Sequence, residues 1–181
     1  MNWKLLESKN VYRDRWLQIR NDRCELPDGR IIDPYFVIEV PSWTNMVIIT
    51  KEEKIVLVKQ YRHALGTTTL ELPGGILEKG EVPKASAIRE MQEETGYVSE
   101  EVEFIMQISP NPALMNNTAY FFLARNAEKL THTSFDPYED IVIETYSKDE
   151  LKQLLLDGKL QHGVQHGAIY QAMLRLNWIS W

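Results

Sequence analysis

The chain has 181 residues, of which 44% are apolar and 25% charged, enough for one packed, soluble domain with a small appendage and unlike a disordered segment. A formal charge of −6 argues against a nucleic-acid-binding surface, which needs a basic patch. The single cysteine, Cys24, excludes an internal disulfide and a Cys-rich zinc site.

Residues 1–8 lack the apolar core of a signal peptide, and no run approaches bilayer-spanning length, so no membrane association and a cytoplasmic location are expected. Residues 1–40 read as an N-terminal β unit. Parts of 11–26 are strand-prone, with Cys24 expected as a buried strand residue, Pro27-Asp28-Gly29 is a turn signal, and 31–40 is strand-prone again. Two or three strands are marginal alone. The unit must therefore pack on the main domain, on a second chain, or on both.

Residues 41–181 read as the main domain. Residues 46–50 and 55–62 form a hairpin around 51–54, and a short strand through Leu70 leads to Gly74-Gly75. A helix follows, opened by Pro83 and stopped by Gly96. Residues 102–109 and 119–124 read as strands flanking a loop rich in proline and asparagine, with a second, acidic loop over 131–140 and a strand over 141–146. Ser147 is an N-cap for a helix over 148–156, with Glu150 as capping-box partner and Gly158 past its end, and 167–178 is helical by periodicity. Strands, a helix, more strands and C-terminal helices give an α+β fold, a mixed sheet sandwiched by helices.

The helix after Gly75 carries the chemistry. Ala85, Ile88, Met91 and Thr95 recur at helical spacing as an expected buried stripe, and at about 100° per residue Glu90, Glu93 and Glu94 fall opposite it. Glu90 and Glu94 stand one turn apart, where like charges repel and a hard divalent cation would relieve the repulsion. Glu81 lies six residues after Gly75, and Arg89-Glu90 follow after seven more.

This spacing, met by Gly75, Glu81, Arg89, Glu90, Met91, Glu93, Glu94, Gly96 and Tyr97, resembles the Nudix box. Beyond it, the order of PDG, VLVKQYRH, LELPGG, the box, Pro112 in a loop, FFLA and an acidic loop looks like the branch that hydrolyses ADP-ribose and nucleoside diphosphate sugars. The resemblance implies an α/β/α sandwich whose box is a loop–helix–loop. It also implies Mg²⁺, with Mn²⁺ as substitute, and cleavage of a pyrophosphate bond to a nucleoside monophosphate and a sugar phosphate. Glu90, Glu94 and the Gly75 carbonyl are implied metal ligands, and Glu93 a further ligand or a partner that orients the site. Arg89 and Glu81 are read as structural. The resemblance further implies a general base from the acidic loop, with Glu139 its best match and also a candidate metal ligand, and with Glu93 and Asp136 as alternatives. Where this branch has a pair of glutamates, Pro137 replaces the first.

Arg62, at the end of a strand, is read either as a bidentate diphosphate ligand or as a plain salt bridge. Glu71 is placed to accept from a sugar hydroxyl, and Trp43, Tyr35 and Phe36 supply stacking surfaces or core. The resemblance further implies a homodimer in which the N-terminal strands are exchanged. His162 and His166 have the spacing of a metal pair but lack a third ligand, and are read as surface or helix-start residues. The alternative functions are hydrolysis of nucleoside triphosphates or dinucleoside polyphosphates, and a non-catalytic ligand sensor.

Overall fold

The structure is a computed structural model that describes residues 2–135 and 137–180. Its contacts divide the chain into two units: residues up to Ser42 with Ile108–Ala119, and Trp43–Gln107 with the residues from Tyr120 onward.

The first unit is a three-stranded antiparallel sheet in the order β1 (Lys4–Arg13), β2 (Gln18–Glu25), β3 (Ile31–Glu39). The turn between β2 and β3 is the one expected at Pro27-Asp28-Gly29. The Leu26 N–H donates to the Arg30 carbonyl at 2.8 Å and Gly29 adopts φ 84°, a region glycine enters without steric cost. Strand β1 is exposed along its whole length, so it has no core-facing alternation, and the sequence signals strand only from residue 11. Cys24 is buried on β2, as expected. Residues 108–119, the loop containing Pro112, belong to this unit. The Ile38 N–H donates to the Leu114 carbonyl at 2.7 Å, and the Tyr35 hydroxyl to the Ala113 carbonyl at 2.8 Å.

The second unit is a mixed seven-stranded sheet flanked by helices, the Nudix-like α+β fold. Its spine runs β10 (Ile141–Tyr146), β5 (Ile55–Arg62), β4 (Trp43–Thr50), β9 (Ala119–Lys129), β7 (Tyr97–Val98). Strand β6 (Thr67–Glu71) pairs with β5, and β8 (Glu101–Ile108) with β9. The register of β5 explains its position inside the sheet. Residues 55–60 pair with β10 on one edge, while the other edge meets β4 at Val56 and β6 from Val58 to Arg62. A strand covered on both edges and facing core reads as an uninterrupted apolar run, here Ile55-Val56-Leu57-Val58, all at 0% exposure.

Helix α1 (Pro83–Thr95) packs on β4 through a core of Met46, Ile48, Val56, Ala87 and Met91. It starts at Pro83 and ends at Gly96, whose φ of 72° closes the helix in the left-handed cap. The buried face differs from the expected stripe. Ala87, Met91, Glu94 and Thr95 are buried, whereas Ala85 is exposed and Ile88 half-buried. Glu94 thus lies on the inward face and not opposite it. An apolar pattern cannot reveal this, because it assigns every carboxylate outward.

Helix α2 (Lys148–Leu156) carries the expected capping box, the Ser147 hydroxyl accepting from the Glu150 N–H and the Glu150 carboxylate accepting from the Ser147 N–H at 2.7 Å. Helix α3 (Gly163–Arg175) begins four residues before its expected start at Gly167. Gly163 and Gly167 are poor helix formers and hid its first turn; burial of Gln165, Ala168, Ile169, Ala172 and Met173 along one face holds it.

Candidate active site

The turn between β6 and α1 is clamped onto the start of β4. The Thr44 N–H donates to the Gly75 carbonyl at 2.9 Å and the Met46 N–H to the Pro73 carbonyl at 2.9 Å. Because α1 packs on the same strand, its glutamates meet this turn, and the Gly74 N–H donates to Glu94 Oε2 at 2.7 Å. A Cβ at Gly74 would overlap the Thr44 carbonyl, and one at Gly75 would overlap the Glu90 carboxylate. Glycine is required here for close approach.

Arg89 is the hub of the box. Its Nε reaches Glu81 at 3.1 Å, and its Nη1 reaches Glu90 at 2.9 Å and Glu93 at 2.8 Å. The Arg89 hydrogen bond holds Glu81 below the usual carboxylate range. Glu90 is displaced upward by burial, against the pull of Arg89. Among the described residues Glu94, 3% exposed, makes no such ion pair, and the Arg62 charge opposes its upward displacement only from a distance. Burial pushes its carboxyl up to about 8, with Glu90 and Glu139 adding to the effect and the Gly74 hydrogen bond opposing it.

Arg62, Gly75, Glu90, Glu93, Glu94 and Glu139 line one cavity of about 530 Å³. The arrangement suits a hard divalent cation. It offers two partly desolvated carboxylates one helical turn apart, and a carbonyl oxygen at Gly75 with a lone pair left after Thr44. Among the described residues no three His, Cys, Asp or Glu side chains make a complete metal cage. Asp136, the alternative base, lies outside the described residues.

Arg62 ends β5 and Glu71 ends β6; the antiparallel register sets Arg62 opposite Thr67 and Glu71 opposite Val58, four positions apart, and the two side chains span that gap. Arg62 Nε and Nη2 donate to the two Glu71 oxygens at 2.9 and 2.7 Å. Glu71 is 2% exposed; burial alone would raise its pKa, but the hydrogen bonds from Arg62 and Thr69 and the Arg62 charge hold it below the usual range. The Arg62 guanidinium also lines the carboxylate cavity, so it stands at the boundary between the ion pair and that site.

Trp43, Arg62, Glu71 and His162 line a second cavity of about 430 Å³, which shares Arg62, Gly74, Gly75 and Ile76 with the first. Trp43 meets Phe121 and His162 edge-to-face, with centroids 5.7 and 5.6 Å apart. Tyr35 and Phe36 lie on β3 in the first unit. His166 Nε2 stands 2.6 Å from the Leu160 carbonyl, while His162 is the N-cap position of α3. His162 therefore starts a helix as expected, but it is a cavity residue rather than a surface one.

Two buried amides beneath this cavity were not legible in the sequence. The Gln165 Oε1 accepts from the Leu72 N–H at 2.8 Å, and its Nε2 donates to Asn45 Oδ1 at 3.2 Å. Asn45 Nδ2 donates to the Pro73 carbonyl at 3.2 Å. Together they fix the turn that presents Gly75.

Residues 3–38 match the nucleoside diphosphate sugar hydrolase N-terminal domain, and residues 42–165 match the NUDIX domain. The chain is 30% identical to the methanol dehydrogenase activator of Bacillus methanolicus, across 93% of this chain and 86% of that protein. It is 28% identical to the ADP-ribose pyrophosphatase of Bacillus subtilis, across 94% and 95%. The solved structure of an ADP compounds hydrolase superposes with a TM-score of 0.85 over 98% of this chain and 95% of the other, at 18% identity, which speaks to the fold. With the NUDIX domain spanning most of its length and the box carboxylates gathered around one glycine turn, the chain belongs to the Nudix hydrolase family.

Proposed function

We propose that this enzyme hydrolyses the pyrophosphate bond of ADP-ribose or another nucleoside diphosphate sugar, with Mg²⁺ as cofactor and Mn²⁺ as substitute, releasing a nucleoside monophosphate and a sugar phosphate. One observation supports the reading: Glu90, Glu94 and Gly75 share a cavity with Arg62 and Glu139, so a cation held by the first three would lie beside an arginine suited to phosphate. Nudix hydrolases generally use a divalent metal.

In this reading Glu90, Glu94 and the Gly75 carbonyl hold the cation. Bound there, a divalent ion supplies neutralisation of phosphate oxygens and a lowered pKa for the attacking water. Arg62 orients the diphosphate, keeping Glu71 as its own counter-charge. Glu139 accepts the proton of the attacking water, with Glu93 the alternative acceptor. The water oxygen forms a bond to one phosphorus, the bridging P–O bond breaks, and the bridging oxygen leaves with the other phosphate.

Residues 1–40 are read as an exchanged β unit of a homodimer. Trp3, Leu5, Val11, Trp16 and Phe36 of the first unit are exposed, an apolar display that suits a second copy of the chain. No helix among the described residues is long and apolar enough to cross a membrane, and the lone buried cysteine suits the cytoplasm.

Purified protein supplied with Mg²⁺ should release AMP from ADP-ribose, or the matching monophosphate from another sugar nucleotide. Folded, metal-supplied protein that turns over no member of such a panel contradicts the reading. Light scattering at micromolar concentration should give twice the monomer mass.

A further inference from the structure

The β5–β6 ladder stops at Glu71, opposite Val58, and the chain then turns toward α1. The peptide groups just past that end are held by side chains instead of by a strand. The Leu72 N–H donates to Gln165 Oε1 of α3 at 2.8 Å. The Leu72 carbonyl accepts from Asn45 Nδ2 at 3.3 Å and from Gln165 Nε2 at 3.4 Å. The Pro73 carbonyl accepts from Asn45 Nδ2 at 3.2 Å and from the Met46 N–H at 2.9 Å. Gln165 Nε2 also donates to Asn45 Oδ1 at 3.2 Å, which closes the network.

Both amides are buried, Gln165 at 3% exposure and Asn45 at 4%, and they come from different elements. Carrying two such groups into the interior is costly unless every polar atom is paired, and a fully paired network fixes its geometry. What the fixed segment leads to gives the network its meaning. The next residue, Gly74, donates its N–H to Glu94 Oε2 at 2.7 Å. It also packs on Asn45, whose side-chain amide and Cα a Cβ at Gly74 would overlap. Gly75 then turns its carbonyl to the Thr44 N–H at 2.9 Å and lines the carboxylate cavity. Rotating the peptides at Leu72 and Pro73 would therefore redirect both the Gly74 N–H and the Gly75 carbonyl.

We propose that Gln165 and Asn45 are positioning residues of the cation site: by gripping the peptide groups of Leu72 and Pro73, they aim the Gly74 N–H at Glu94 and set the Gly75 carbonyl beside Glu90 and Glu94. This rests on the reading above in which Glu90, Glu94 and the Gly75 carbonyl hold the cation. Helix α3, which supplies none of those ligands, thereby acts on cation affinity through a single side chain.

The test uses the full chain and two readouts that need no turnover. Mn²⁺ is titrated into metal-free protein and followed by the electron paramagnetic resonance of the free ion, counting only the site that Glu94→Gln abolishes. The Gly74 amide proton is followed in ¹⁵N-glycine-labelled, metal-free protein. Gln165→Met fills a similar volume and removes both hydrogen-bonding atoms. It should weaken Mn²⁺ binding by about tenfold, the loss typical when a group that orients a metal ligand is removed. It should also move the Gly74 amide proton upfield, as its bond to Glu94 loosens. Asn45→Leu releases the same peptides from the other side, should give both changes, and serves if Gln165→Met does not fold. Met173→Ala, at another buried position of α3, should lower the melting temperature and leave both readouts unmoved. Unchanged Mn²⁺ affinity in Gln165→Met and Asn45→Leu, whatever their melting temperatures, overturns the proposal, and so does an equal weakening by Met173→Ala. Should the wild type bind no Mn²⁺ at this site, the cation reading fails on its own. The Gly74 resonance then decides: a shift in Gln165→Met sustains the grip on the turn, and an unmoved signal removes it.

Discussion

The end of β6 and the last turn of α1 each bury a glutamate, and the two are handled in opposite ways. Glu71 is 2% exposed and Glu94 3%. Glu71 receives both forks of the Arg62 guanidinium and stays well ionised. Glu94 receives one backbone N–H, faces Glu90 and Glu139 as well, and is pushed up to about 8. Burial is equal; compensation is not. In the proposed reading, a buried carboxylate bridged by both forks of one guanidinium is structural. Glu94, which no guanidinium bridges among the described residues and which shares a cavity with other carboxylates, is arranged for a cation from solution.

The largest effect that would sharpen this contrast is at Glu94. Glu94→Gln should cut kcat/KM by more than about 100-fold, since even partners that only orient metal ligands cost roughly 10- to 100-fold when removed. The same variant should unfold in EDTA at a temperature no lower than the wild type, because a neutral amide replaces a carboxyl whose ionisation burial opposes. Mg²⁺ should raise the wild-type melting temperature and leave that of Glu94→Gln nearly unmoved; at 100 times Kd the wild-type gain is about 2.7 kcal/mol.

At the other glutamate the dominant loss should be in stability. Arg62→Met strands the Glu71 carboxylate in the interior and should cost about 3 kcal/mol, read from the urea midpoint. Pairing it with Glu71→Leu should recover most of that loss while activity stays low. Equal destabilisation by the single and the double variant would break the comparison.

Gly75→Ala comes next. Its Cβ would displace the Glu90 carboxylate, so activity should fall about tenfold with little change in melting temperature, because the obstruction is a side-chain end and not backbone.

The smallest effect concerns pH. Burial lowers the His162 pKa, so its neutral form is favoured in the folded state. A folded pKa below the unfolded value of about 6.5 contributes stability that is present above 6.5 and lost as pH falls through the folded pKa. His162→Phe should therefore flatten the fall in melting temperature below about pH 6.5.

The helix that carries the box was plain in the sequence and its surroundings were not, for physical reasons. Pro83, Gly96 and the capping box at Ser147 and Glu150 are local signals, and local signals survive folding unchanged. The spacing of Glu90, Glu93 and Glu94 was equally plain. Their orientation was not: Glu94 faces inward beside Met91, because a functional site breaks the apolar pattern that sequence reading relies on. Strand β1 was missed because it is exposed throughout and has no alternation to detect. Gln165 and Asn45 lie 120 positions apart, and no local signal ties them to the turn they support. Arg62 and Glu71 are each legible as polar residues, but their pairing depends on side chains that span four positions of the β5–β6 register, which no local signal gives.

The central claim is that the carboxylate cavity cleaves a pyrophosphate bond. Hydrolysis of ADP-ribose with Mg²⁺ in ¹⁸O-labelled water, followed by mass analysis of the products, tests it most directly. The account predicts AMP and ribose 5-phosphate with one ¹⁸O atom in one of the two phosphates, and at most a trace of either with Glu94→Gln. Intact ADP-ribose after incubation with folded, metal-supplied wild-type protein, or undiminished product from Glu94→Gln, would contradict it.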